Sequence, residues 1–204
     1  MRARTSPAAD LALVAVFAGL IAAFSLTPAI PVGLLGVPIT LQTLAVLLTG
    51  MVLGPLRGFA ATALYVLVGL AGLPVFAGGL GGLAIFVQPS VGYLFSFPLG
   101  AALAGWLARR VVVRGGRGAW WWLFGAGVAA SLLVIHPAGI VGMSAVAALP
   151  LPKAAAVDLL FWPGDIAKSA LAATIAWAVH RAFPTLLAAQ PRRGASTKEA
   201  VGAR

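Results

Sequence analysis

Residues 11–27 read LALVAVFAGLIAAFSLT, a run without a charged side chain that stops against Pro28 and Pro31. A helix needs about 20 mostly apolar residues to cross the hydrocarbon of a bilayer, and this run approaches that length. Outward along the chain, further apolar stretches lie at 39–53, 58–73, 91–107, about 120–149 and about 154–183. Their recurrence makes the first run a span rather than a removable signal peptide, despite the basic residues Arg2 and Arg4 before it. The reading is therefore an all-α membrane protein of six transmembrane helices, covering 11–183 between an N-terminal tail (1–10) and a C-terminal tail (184–204). Composition agrees: of 204 residues, 61% are hydrophobic and 9% charged, against roughly 25% charged in soluble domains. A soluble chain of this size has too much surface to hide so many apolar side chains.

Prolines and glycines punctuate the spans. Gly54-Pro55 closes the second, because proline cannot continue the backbone ladder. Thr27–Pro38 reads as a connector and Pro74–Ser90 as a structured loop. His136-Pro137 predicts a break in the fifth span, and Pro163-Gly164 lies near the start of the sixth.

The charges give the bundle a direction. Net charge is +10, with 14 Lys and Arg. With the N-terminus inside, the cytoplasmic segments collect Arg2, Arg4, Arg57, Arg109, Arg110, Arg114, Arg117, Arg181, Arg192, Arg193, Lys198 and Arg204. Only Lys153 and Lys168 fall elsewhere. That asymmetry predicts an N-in/C-in topology and accounts for the basic balance without a nucleic-acid partner. The polar, basic stretch after Phe183 reads as a disordered cytoplasmic tail. Trp106 and Trp120–Trp122 flank the 108–119 loop, where an interfacial aromatic belt belongs. The chain has no cysteine, and its two histidines, His136 and His180, are too far apart for a recognisable metal motif. No metal, cofactor or catalytic group is expected, and His136 has no partner visible in the sequence.

Two residues inside a predicted span carry opposite charges. Asp165 and Lys168 are three apart and share a helix face; ionisable groups at membrane depth are costly and mark function. A structural ion pair between helices is the competing reading. Asp158 lies about two turns earlier on the same face and is expected to line an entrance. An aspartate accepts N–H bonds and a lysine donates to a carbonyl or carboxylate. A cyclic urea with an acid tail, an amino acid and a small peptide all fit. Two outer loops are candidate lids, one with Pro38, Thr40, Gln42 and Thr43, the other with Gly72, Gly78, Gly79, Gln88, Ser90 and Tyr93. Glycine lets backbone approach a ligand, and irregular backbone at membrane depth is tolerated where it lines a cavity. On the first helix, Ala15 with Gly19 and Ala18 with Ala22 are spaced for close helix packing.

Five blocks, taken together, resemble a known family. They are Val37-Pro38-Ile39-Thr40-Leu41-Gln42-Thr43-Leu44, Leu53-Gly54-Pro55-Leu56-Arg57-Gly58, Gly72-Leu73-Pro74-Val75-Phe76-Ala77-Gly78-Gly79, Gly92-Tyr93-Leu94 and Phe161-Trp162-Pro163-Gly164-Asp165-Ile166-Ala167-Lys168. In this order they are similar to the recurrent blocks of the BioY family. One block departs: Gln88-Pro89-Ser90-Val91-Gly92-Tyr93 stands where the family usually shows Gly-Pro-Thr-Gly-Gly-Tyr. The resemblance implies a non-enzymatic substrate-binding (S) component of an energy-coupling factor (ECF) transporter in a bacterial-type cytoplasmic membrane. It further implies biotin held by Asp165 and Lys168 near the extracellular side, beneath loops carrying Thr40, Gln42, Gly78, Gly79, Gln88, Ser90 and Tyr93, with Asp158 nearby. The implied partners are a transmembrane coupling (T) protein, which meets Ala15, Ala18, Gly19 and Ala22, and ABC ATPase subunits. The chain carries no Gly-x-x-x-x-Gly-Lys-Ser/Thr pattern of its own. An S component for a different vitamin or small carboxylated ligand is the alternative; an intramembrane enzyme and a purely structural membrane subunit are more distant ones.

Overall fold

The computed structural model describes residues 6–28, 30–32, 37–114, 118–184 and 186–187. Arg2, Arg4, Arg117 and the expected C-terminal tail with Arg192, Arg193, Lys198 and Arg204 lie outside the described residues. Eight α-helices are present among the described residues.

The first helix, α1 (Pro7–Ser25), starts where local chemistry favours it. Ser6 accepts a hydrogen bond from Ala9 N at 3.2 Å, Pro7 takes the first turn, and Asp10 lies at the positive end of the helix dipole. Beyond it the expected plain connector is instead a small antiparallel ribbon, β1 (Ile30–Val32) with β2 (Val37–Ile39), pairing Ile30 with Ile39. Pro31 and Pro38 lack the N–H a helix needs but are tolerated in a ribbon with free edges. Helix α2 (Gln42–Leu53) consequently begins three residues later than expected at position 39, and all its residues are buried. Gly54, at φ 82°, turns the chain sharply, and Pro55 starts α3 (Pro55–Leu70).

The expected loop at 74–90 begins earlier, at 71, because α3 ends at Leu70, and it is organised as two 3₁₀ turns, Ala77–Gly79 and Gly82–Val87. Helix α4 (Val91–Arg114) runs past the expected end at 107, so Arg109 and Arg110 ride on helix rather than loop. Helices α5 (Ala119–Ala130) and α6 (His136–Val146) are joined by a π-helical turn, Ser131–Ile135. That is where a break was expected: Pro137 has no N–H to give and its ring crowds the preceding turn, and a wider turn absorbs both. The sixth predicted stretch is not one helix. It divides into α7 (Leu151–Asp158) and α8 (Trp162–Ala182), with Pro163 fitting the first turn of α8, where its missing N–H has no helical partner to lose.

By length and apolar composition, three helical rods among the described residues suffice to cross a membrane: α1, α4 and the continuous α5–α6 rod. α2 and α3 are shorter apolar helices, about 18 and 24 Å long at 1.5 Å per residue. The closest helix crossings in the bundle are made by glycines. α2 passes α4 so closely that a Cβ on Gly50 would stand 2.1 Å from Ala101 O, and one on Gly105 would stand 2.5 Å from Gly50 O. At the α4–α6 crossing, a Cβ on Gly142 would lie 2.6 Å from Gly92 Cα. In lipid, where neighbouring hydrocarbon is as apolar as leucine, such close backbone contact is a principal source of helix association.

α1 sits at the edge of this arrangement. Only 17% of its apolar stretch is buried inside the bundle, against 44% for α4. Arg57, 6% exposed, fixes its N-terminal end through Asp10 at 2.5 Å.

Candidate functional site

The first block of polar residues, Thr40 and Gln42, stands at the junction of β2 and α2. Thr40 Oγ1 donates to Gln42 Oε1 at 3.2 Å, and Gln42 Nε2 donates to Tyr65 OH on α3 at 2.6 Å. Tyr65 OH is itself 3.1 Å from Ser25 Oγ on α1 and 3.2 Å from Val75 O in the loop. Each buried polar group here has a partner, as burial demands, so the network ties α1, α2, α3 and the loop into one end of the bundle.

The charged pair faces the same end. Lys168 Nζ donates to Asp165 Oδ1 at 2.7 Å; both lie on the first turns of α8 and both side chains are largely buried, at 11% and 9% exposure. Three-residue spacing makes this contact a property of the local helix. Between the pair and the network lies a cavity of about 240 Å³. Thr40, Gln42, Gly78, Gln88, Ser90, Tyr93, Asp165 and Lys168 all line it, with Phe76, Phe97 and Phe161 among its apolar walls. Both loops read as lids border it: 37–43 from one side and 76–90 from the other. Gly78, at φ 73°, holds a left-handed turn at the rim that a residue with a Cβ rarely adopts.

Two expected residues are placed otherwise. Gly79 occupies the same turn but does not line the cavity. Asp158 is fully buried rather than at an entrance. The chain turns between α7 and α8, so Asp158 no longer shares a helix face with Asp165. It accepts from Tyr93 OH at 2.6 Å and Trp162 Nε1 at 2.9 Å, and lies 2.8 Å from His136 Nδ1. His136, without a visible partner in the sequence, thus stands between two carboxylates: its Nε2 is 3.4 Å from Asp165 Oδ2. The spacing 136–158–165 carries no helical period, so nothing in the sequence joins them.

On α1 the small residues separate. Ala15 and Gly19 are exposed, Ala22 is half-buried, and Ala18, 7% exposed, belongs to the core. A Cβ added at Gly19 would meet nothing within 4 Å. Among the described residues there is no cluster of three or more His, Cys, Asp or Glu side chains able to hold a metal ion.

Comparison with known proteins gives consistent results. A family model described as the BioY family matches residues 1–185. The biotin transporter BioY of Rhizobium etli is 40% identical over 179 residues, covering 87% of this chain and 96% of that protein. The biotin transporter BioY of Rhodobacter capsulatus is 37% identical over 196 residues, covering 89% and 98%. Among solved structures, the S-component for biotin from an ECF-type ABC transporter superposes with a TM-score of 0.78 at 27% identity, covering 84% of this chain and 90% of that one.

Proposed function

The chain belongs to the BioY family, and from that premise we propose that it is the biotin-binding S component of an ECF-type ABC importer. It is a transporter subunit and not an enzyme. The observation that carries the ligand assignment is the cavity in which Asp165 and Lys168 face Thr40, Gln42 and Ser90 across apolar walls. Biotin has matching chemistry: a ureido ring with two N–H donors and a carbonyl, an apolar bicycle and chain, and a carboxylate. Asp165, with one oxygen engaged by Lys168, retains acceptor capacity for ureido N–H groups. Lys168 has three donor hydrogens, and those not given to Asp165 serve a carbonyl or carboxylate. The phenyl rings of Phe76, Phe97 and Phe161 take the apolar part. Such sites are mostly apolar with a few placed polar groups.

In this reading the protein crosses a bacterial cytoplasmic membrane six times with both termini inside, biotin arrives from outside, and loops 37–43 and 76–90 close over it. A coupling protein and ABC ATPases then drive release inward. Titration of the purified protein in lipid nanodiscs with biotin tests the ligand, with riboflavin and thiamine as competitors. One biotin bound per chain, undisplaced by the others, supports the reading; tighter binding of another vitamin replaces it with the alternative S component.

The exposed strip of α1 with Ala15 and Gly19 is the proposed contact for the coupling protein, since it is the least buried long helix and small residues allow close approach. Gly19→Leu is expected to leave folding and biotin affinity unchanged, because open space surrounds the position, yet to reduce recovery of the coupling protein by at least about tenfold in co-purification. Undiminished recovery would remove α1 from the docking surface.

A further inference from the structure

His136 is a buried titratable group that the proposed binding scheme leaves unused. It opens α6 directly after the π-helical turn, is 3% exposed, and lies between Asp158 at the end of α7 and Asp165 on α8. The other groups facing it are Tyr93 of α4, whose ring meets the imidazole edge-on at 6.5 Å, and Trp162 of α8 at 5.8 Å. Lys168 completes the cluster through Asp165.

The hydrogen-bond inventory constrains the imidazole. Asp158 is fully buried and surrounded by donors: the Tyr93 hydroxyl, the Trp162 indole N–H and the near nitrogen of His136. A buried carboxylate so supplied stays an acceptor, which places a hydrogen on Nδ1. Nε2 then faces the second carboxylate, Asp165. The imidazole thus backs one oxygen of Asp165 while Lys168 holds the other.

We propose that His136 is a positioning residue of the ligand site: anchored to Asp158 at 2.8 Å through Nδ1 and lying 3.4 Å from Asp165 Oδ2 through Nε2, it keeps the Asp165 carboxylate aimed into the cavity for the ligand's N–H groups. The inference rests on the biotin reading above. It makes ligand affinity depend on a residue that does not line the cavity. Without the imidazole, Asp165 loses the support behind Oδ2, and the carboxylate turns away from the ureido ring.

A double-mutant cycle of biotin titrations in nanodiscs tests this on wild type, His136→Phe, Asp165→Asn and the double variant. His136→Phe is expected to weaken binding about tenfold in the wild-type background and to have no effect where Asp165 is already Asn. His136→Gln, which keeps a polar group of similar reach, is expected to recover part of the loss. Wild-type affinity in His136→Phe, or the same loss in both backgrounds, overturns the inference while leaving the biotin assignment standing. No biotin binding by wild type overturns both.

Discussion

Lys168→Ala lowers the affinity of the purified protein for biotin by at least about thirtyfold, and Asp165→Asn does the same. The ground is the 2.7 Å pair at the cavity wall, both partners largely buried. Removing one member of a buried, hydrogen-bonded charge pair costs about 2–5 kcal/mol, and each 1.4 kcal/mol is about a factor of ten. Much of that cost is the charge left behind. In Lys168→Ala, Asp165 loses its 2.7 Å partner and is left with the longer 3.4 Å approach of His136 Nε2, while a donor to the ligand is lost as well. In Asp165→Asn the side-chain amide puts an N–H where the ligand's own N–H groups need an acceptor. Calorimetric titration in nanodiscs is the measurement, with the thermal unfolding midpoint recorded alongside it. A folded variant with wild-type affinity would return the pair to the competing reading, a structural ion pair.

Gly50→Val is expected to abolish the folded bundle, read as loss of the monodisperse peak in size-exclusion chromatography and of the cooperative thermal transition. A Cβ at Gly50 would stand 2.1 Å from Ala101 O and 2.8 Å from Ala101 C. Both are backbone atoms of α4, which cannot swing aside as a side chain can. Gly58 of α3 and Gly105 of α4 close on the same spot, so α2, α3 and α4 would have to part together. Overpacking a core costs typically about 1–3 kcal/mol and occasionally more; the upper end applies where backbone opposes backbone. The control is Gly19→Leu on α1, where the added side chain meets open space. Retention of a stable, biotin-binding Gly50→Val protein would show that α2 and α4 can separate without loss of the site.

The contrast between those two glycines shows how far the sequence reaches. Ala15, Ala18, Gly19 and Ala22 are visible as a small-residue spacing, but the sequence cannot say that Ala18 faces the core while Gly19 faces outward. Nor does it mark Gly50, Gly58 and Gly105 as the tight crossing, since each belongs to a different helix. The site divides similarly. The Asp165–Lys168 contact is legible because three-residue spacing on a helix fixes it. Thr40, Gln42, Gln88, Ser90 and Tyr93 are legible as polar or flexible loop residues, and the cavity gathers them. Asp158 is misplaced by the sequence reading because that reading extends one helix through 154–183. The structure instead turns the chain after Asp158.

What the sequence alone determined is therefore what depends on composition and short-range spacing. An apolar, charge-poor chain must place its surface in hydrocarbon, prolines must interrupt or begin helices, and residues three apart on a helix must meet. What only the tertiary structure decided is what depends on rotation and depth between helices distant in sequence. It set which glycines touch backbone, which face of α1 is free, and that His136 lies between two carboxylates. Those relations are fixed by interlocking of side chains and backbones across helix crossings, and no local period encodes them.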